Sequence, residues 1–417
     1  MFSPEISFSK ELDLSDPLKT YREKFHIPKN KKGEDVIYLA GNSLGLQPKT
    51  VRESVEQELY DWEKIALEGH TNAKNPWLPY HEFLTDQTAR LVGAKPEEVI
   101  NMNALTVNLH LLFVSFYRPT KERHKILIET KAFPSDHYAI QSQIKFHGFD
   151  VESSLIEMKP REGEDIIRTE DIEELIEREG NSIALIWFAG VNYYTGQAFE
   201  QEKITKAGHM KGCVVGFDLA HAAGNLLMNL HEWEVDFAVW CNYKYMNAGP
   251  GAVGGSYVNE RHLKDQSLPK FLGWWGHDKE TRFLMEHKYI AIPTAESWQL
   301  SNPPILQLAA LRASLDIFDS AGMKALRNKS EQLTSYLEFL INENKNDLVE
   351  IITPKNINER GCQLSLRIKS NGRDLYTRLL KEGIVCDWRE PDVIRVAPAP
   401  LYNKFEDVYE FSKIIFI

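Results

Sequence analysis

Five short runs of apolar residues constrain this chain most: KILIE at 125–129, SIALIWF at 182–188, CVVGF at 213–217, FAVWC at 237–241, and the stretch 252–258. A strand with one wet face alternates apolar and polar residues, whereas a run that does not alternate has both faces covered. Stretches with helical spacing, such as 171–179, lie between them. Buried strands separated by helices predict an α/β fold with a large, mostly parallel sheet and helices on both faces.

Beyond Asn302-Pro303-Pro304 the pattern changes. Helical spacing over 305–320 and 323–342 precedes four short strands at 349–353, 363–368, 384–387 and 393–396, and a final helix over 405–414. At 417 residues the chain exceeds what one ordinary core holds. The expected division is an N-terminal arm at 1–40, a large domain at 41–301 and a smaller C-terminal α/β domain at 302–417. Within the arm, 18–25 reads as a short helix. The glycine-bracketed GNSLGL at 41–46 marks a backbone-controlled loop, and 49–67 reads as a helix with Val51, Val55, Leu59 and Trp62 on its buried stripe.

The 49 basic and 60 acidic side chains give a net charge of −11, which argues against nucleic acid or an anionic membrane as the main partner. No run reaches the roughly 18–20 apolar residues that span a bilayer. The first residues lack the basic-then-apolar pattern of a signal peptide. Cys213, Cys241, Cys362 and Cys386 are widely spaced, with no C-x-x-C pair, which excludes a zinc ribbon or disulfide framework and suits a reducing compartment. The expectation is a soluble, cytoplasmic protein with no metal.

Polar residues collect where the runs end. Asp218 follows the third run in GFDLAHAAGN, and Lys244 follows the fourth by three residues in WCNYKYMNAGPGAVGG. Carboxyl ends of strands in open α/β sheets are where ligands gather, so both residues belong to one expected crevice. An amine and a carboxylate so placed suit pyridoxal 5'-phosphate. The amine forms a Schiff base with its aldehyde, and the carboxylate keeps its pyridine nitrogen protonated. The phosphate calls for a helix start with hydroxyl donors, which NALTVNL at 103–109 offers through Thr106. Phe133 in AFPSDHYA supplies a ring to cover the cofactor. Each residue also has a plainer reading: Lys244 as a solvated lysine, Asp218 as a helix cap, His221 as a core histidine, and the glycines of 249–255 as turn residues. Only their order and strand-end placement together favour the cofactor.

Eight strings settle the choice by resemblance: YLAGNSLGLQPK, NALTVNLH, KAFPSDHYAIQSQ, GFDLAHAAGN, WCNYKYMNAGPG, SNPPIL, ERGCQL and IRVAPAPLYN. In this order, from 38 to 403, they closely resemble the kynureninases, nearer the animal type than the shorter bacterial type. The resemblance implies the aspartate-aminotransferase fold and a homodimer with active sites shared between subunits. It also implies hydrolysis of kynurenine or 3-hydroxykynurenine to an anthranilate and L-alanine, a reaction of tryptophan catabolism and NAD biosynthesis.

By the same resemblance Lys244 is the Schiff-base lysine, Asp218 pairs the pyridine nitrogen, and His221 and Tyr243 contact the cofactor. Tyr243 also becomes a candidate acid–base residue. Leu105 and Thr106 bind phosphate, Phe133, Pro134, Ser135 and Asp136 lie beside the ring, and Trp274 and Asn302 come from the partner subunit. Ser43, His70, Asn302 and Arg395 meet the substrate, with Arg395 on its α-carboxylate and His70 and Asn302 at its aromatic ring. Ala189 departs from the pattern, standing where some relatives carry a hydroxyl near the cofactor. The competing readings are a cysteine desulfurase or lyase on the same fold, which needs an exposed nucleophilic cysteine, and a fold relative that has lost catalysis.

Overall fold

The computed structural model describes residues 2–344 and 347–416. Its main sheet has seven strands, ordered across the sheet as Val99–Asn101, Gly254–Val258, Phe237–Cys241, Val214–Asp218, Ile183–Ala189, Lys125–Glu129 and Leu155–Met158. The last five of these pair in parallel, and the first two join antiparallel at one edge. Val99–Asn101 is too short to show a period in the sequence. Along Ile183–Ala189 the side chains divide between two cores, Ile186 and Phe188 entering one and Leu185 and Trp187 the other. Both faces are therefore covered, as the unalternating runs require.

From Lys125–Glu129 the chain moves outward to Leu155–Met158, then returns to the opposite side of Lys125–Glu129 as Ile183–Ala189. A crevice opens at the carboxyl ends where the strand order reverses so. Glu129, Ala189, Asp218 and Cys241 end the four strands around it.

A second, antiparallel sheet runs Asp387–Arg389, Val393–Val396, Leu364–Ile368, Val349–Ile351. The helices Met323–Glu343 and Phe405–Ile415 cover it, burying Leu333, Leu337, Phe405 and Phe411 with Leu364 and Leu366. The α/β architecture expected from the sequence, a large mostly parallel sheet with a smaller C-terminal body, is thus present.

Several local expectations need correction. The helix expected at 18–25 is only a 3-10 turn, Lys19–Lys24, and the α-helix of this region is Ile6–Ser15. Phe8 and Leu12 pack on the small-sheet core, a four-residue spacing visible in the sequence but passed over. The stripe expected on the helix Val51–Ile65 faces outward at its C-terminal end. Leu59 and Trp62 are exposed, whereas Glu58 and Asp61 are buried. Glu58 stays inside because Asn75, Trp77 and Tyr80 each donate a hydrogen bond to its carboxylate. The strand expected at 384–387 divides. Ile384–Val385 pairs in parallel with Ile37–Tyr38, while Asp387–Arg389 joins the small sheet. The helix Ile305–Ala321 buries Leu308, Leu311 and Leu315 in the core of the main sheet.

Candidate active site

One cleft lies over these strand ends, with a cavity volume of about 80 Å³. Lys244 Nζ lies 3.0 Å from His221 Nε2, 5.7 Å from the centre of the Phe133 ring and 5.8 Å from that of Tyr243. Asp218 accepts a hydrogen bond from the Ala220 N–H at 2.7 Å. On the opposite wall the helices Leu105–Phe116 and Pro134–Phe146 begin side by side, and Thr106 Oγ1 and Ser135 Oγ are 2.8 Å apart. Two helix N-termini with two hydroxyls make a wall whose chemistry suits an anion. Phe133 meets Tyr193 edge to face, with centroids 5.3 Å apart.

The loop GNSLGL braces the turn that carries Lys244. Gly45 N–H donates to the Tyr243 carbonyl at 2.8 Å, and a Cβ at Gly45 would stand 2.3 Å from the Lys244 carbonyl oxygen. No other residue type permits that approach. Asn42, three residues earlier in the loop, donates to Gln363 at the small sheet, so the loop links both bodies to the lysine.

Of the residues singled out in the sequence, Leu105, Thr106, Phe133, Ser135, Asp136, Asp218, His221, Tyr243 and Lys244 all line this cleft. Pro134 opens its helix beside them. Ser43 and Asn302 are exposed, and Trp274 is 43% exposed with its indole N–H bonded to the Arg282 carbonyl. His70 stacks edge-on against Trp77. None of these four is on the cleft wall of the single chain. Arg395 is buried behind Tyr193, donating to its carbonyl at 2.7 Å and paired with Asp387.

Ala189 also lies on the wall, as do Glu129 and Tyr193, which sequence reasoning did not assign as cleft residues. Glu129 had a visible signal, an acid closing the apolar run KILIE at a strand end. At Ala189 the wall carries only a methyl group.

Burial dominates the electrostatics. It raises Asp136, which the neighbouring Asp218 charge raises further, and it raises Asp218 against the opposing pull of Lys244. Glu129 is pushed up to about 8, chiefly by burial. Burial, Lys244 and Arg395 hold His221 well below the usual histidine range, so its ring is neutral and accepts from the lysine. Burial keeps the Tyr243 hydroxyl protonated.

The architecture belongs to a well-populated class, the aspartate-aminotransferase fold. The apo cysteine desulfurase of Thermococcus onnurineus NA1 superposes with a TM-score of 0.75 at 18% identity, covering 98% of this chain and 97% of that one. The cysteine desulfurase CsdA of Escherichia coli gives 0.76 at 15% identity, covering 95% and 97%. Sequence narrows the class. Residues 326–415 match the kynureninase C-terminal domain. The chain is 60% identical to the kynureninase of Koribacter versatilis over 98% of its own length and 97% of that protein. It is 51% identical to the mouse and human kynureninases over 97% of its length and 91% of theirs. The chain belongs to the kynureninase family.

Proposed function

We propose that this protein is a pyridoxal-phosphate-dependent hydrolase that cleaves the Cβ–Cγ bond of 3-hydroxykynurenine and kynurenine, releasing 3-hydroxyanthranilate or anthranilate and L-alanine. The observation that carries the reading is the Lys244–His221 contact of 3.0 Å, set in one cleft with Asp218.

The residues present fit the cofactor. Lys244 offers the cleft an amine, with a neutral histidine ring 3.0 Å away as its neighbour. His221 Nδ1 is buried with no hydrogen-bond partner among the described residues, a donor turned to no protein acceptor. Thr106, Ser135 and two helix N-termini would hold the phosphate, Asp218 the pyridine nitrogen and Phe133 one ring face. When bound there, pyridoxal phosphate supplies an electron sink for bonds at the substrate's Cα and Cβ.

The chain's own residues account for the rest. Lys244 would hold the cofactor and is the amine placed to take the proton from the substrate's Cα. Tyr243, protonated by burial, is a ready proton donor beside it. Arg395 is a guanidinium fork suited to the α-carboxylate. A cysteine desulfurase needs an exposed, low-pKa thiol. All four cysteines here are buried, and burial pushes Cys362 and Cys386 up to about 12.

A homodimer sharing its active sites accounts for Trp274 and Asn302 lying off the cleft of one chain. It also accounts for exposed apolar side chains such as Leu59, Trp62, Phe271, Leu272, Phe283 and Met285. No helix among the described residues is long and apolar enough to cross a membrane. The unpaired, buried thiols support a cytoplasmic setting.

The test is anthranilate release by the purified protein from both substrates, with light scattering for the dimer. Polar groups at His70 and Asn302 favour the hydroxylated substrate. A buried polar group left unpaired costs about 1–3 kcal/mol, so kcat/KM is expected to be roughly tenfold higher for 3-hydroxykynurenine. No anthranilate from either substrate would overturn the assignment.

A further inference from the structure

Glu129 lines the cleft but has no part in the chemistry above. It ends the Lys125–Glu129 strand where the strand order reverses, and both carboxyl oxygens lie 3.3 Å from the Ala189 N–H. Ala189 pairs in register with Asp218 on the next strand. The three residues thus form a row across the floor of the site. Asp136 adds a third acid from the first turn of the Pro134–Phe146 helix.

All three acids are buried, and the groups facing them are few. Lys244 is the cation that acts on Asp218, His221 is neutral and Tyr243 is protonated. The guanidiniums of Arg389 and Arg395 influence His221 but are engaged by Asp387. Three ionised carboxylates beside one ammonium would leave two uncompensated charges in a dry floor, and such groups take up protons instead. The Ala189 N–H, shared between both oxygens, the N–H of Glu129 itself and the Asn192 side chain favour the ionised form, but burial, with the Asp218 charge alongside, outweighs them.

We infer that Glu129 enters the site as an uncharged acid, a positioning residue that holds the Ala189 strand end and leaves the working negative charge of the floor to Asp218. The use of Asp218 rests on the cofactor reading above, whereas the protonation of Glu129 does not. Its upward shift to about 8 agrees with the geometry.

The test compares the native protein with Glu129→Gln, which keeps the shape and an acceptor for Ala189 but cannot ionise. In the unfolded chain Glu129 releases its proton at the ordinary carboxyl value, while the folded protein keeps it until about pH 8. The folded state therefore binds more protons in that window, and native stability should fall as pH rises through it. In cofactor-free protein, the melting-temperature advantage of Glu129→Gln should widen from pH 5 to pH 8. The infrared band of a protonated carboxyl should also be lost in the variant. A constant gap with an unaltered band would overturn the uncharged state.

A second variant, Glu129→Asp, keeps the acid but shortens its reach to Ala189. With cofactor and substrate, Glu129→Gln should turn over at least about tenfold faster than Glu129→Asp at pH 7. Equal rates, or a faster Asp variant, would remove the positioning role. Failure of the cofactor reading would show separately, as no absorbance change when the native protein meets pyridoxal phosphate.

Discussion

Thr106 Oγ1 and Ser135 Oγ lie 2.8 Å apart although 29 residues separate them in the chain. Each belongs to the first turn of its own helix, so two positive helix ends converge on one spot. Ser135→Ala is expected to weaken pyridoxal phosphate binding about tenfold, the value of one hydrogen bond to a charged group. Fluorescence titration of cofactor-free protein measures it, and an unaltered Kd would take the serine out of the phosphate site.

Lys244→Ala should abolish turnover, since no other lysine lines the cleft and burial leaves His221, the base beside it, a weak one. The absorbance band of the lysine-bound cofactor should vanish with it. Near-native turnover in the variant would show that another residue carries the reaction.

Gly45→Ala should disturb the lysine without touching it. The new methyl would overlap the Lys244 carbonyl and the Asn247 side chain. Overpacking of this kind costs about 1–3 kcal/mol. A lower melting temperature together with reduced kcat is expected. If only the melting temperature falls, the loop does not brace the catalytic turn.

Arg395→Lys should raise KM about tenfold or more, because an ammonium cannot copy the two parallel hydrogen bonds of a guanidinium. The cofactor's absorbance should persist. An unchanged KM would confine Arg395 to its bonds with Tyr193 and Asp387.

Far from the cleft, Asp236 should govern acid stability. Burial opposes its ionisation, yet hydrogen bonds from His209 at 2.9 Å and His262 at 2.7 Å, with the Arg261 charge, hold its carboxyl well below the ordinary range. A depressed folded value stabilises the protein above about pH 4, and that contribution is lost as pH falls further. Asp236→Asn should cost about 3–5 kcal/mol at pH 7. The gap in melting temperature should narrow below pH 4, and a gap independent of pH would contradict the ion-pair account.

The main sheet and the floor of the site were legible because unalternating runs and strand-end polar residues are local patterns. Asp218 and Lys244 needed only their own strands to be placed. The outward turn of Trp62 was not legible. Helical spacing marks a stripe but not its destination, and here three hydrogen bonds draw Glu58 inward instead. Glu129 was missed because the run KILIE marks it as the end of a strand but not as a neighbour of Asp218. Only the register with Ala189 and Asp218 shows what it faces.

The carboxylate of Asp13 accepts hydrogen bonds from the N–H groups of Phe405 and Glu406, closing the helix Ile6–Ser15 against the helix Phe405–Ile415. These partners are 392 and 393 positions apart. During synthesis the earlier helix must therefore wait, its apolar side exposed, until the later one has left the ribosome. The main sheet, whose strands all precede residue 259, is free to form first. Closure of the small body is then the last event of folding, and a chain stalled before residue 405 would carry a finished cleft floor beneath an open, aggregation-prone flank.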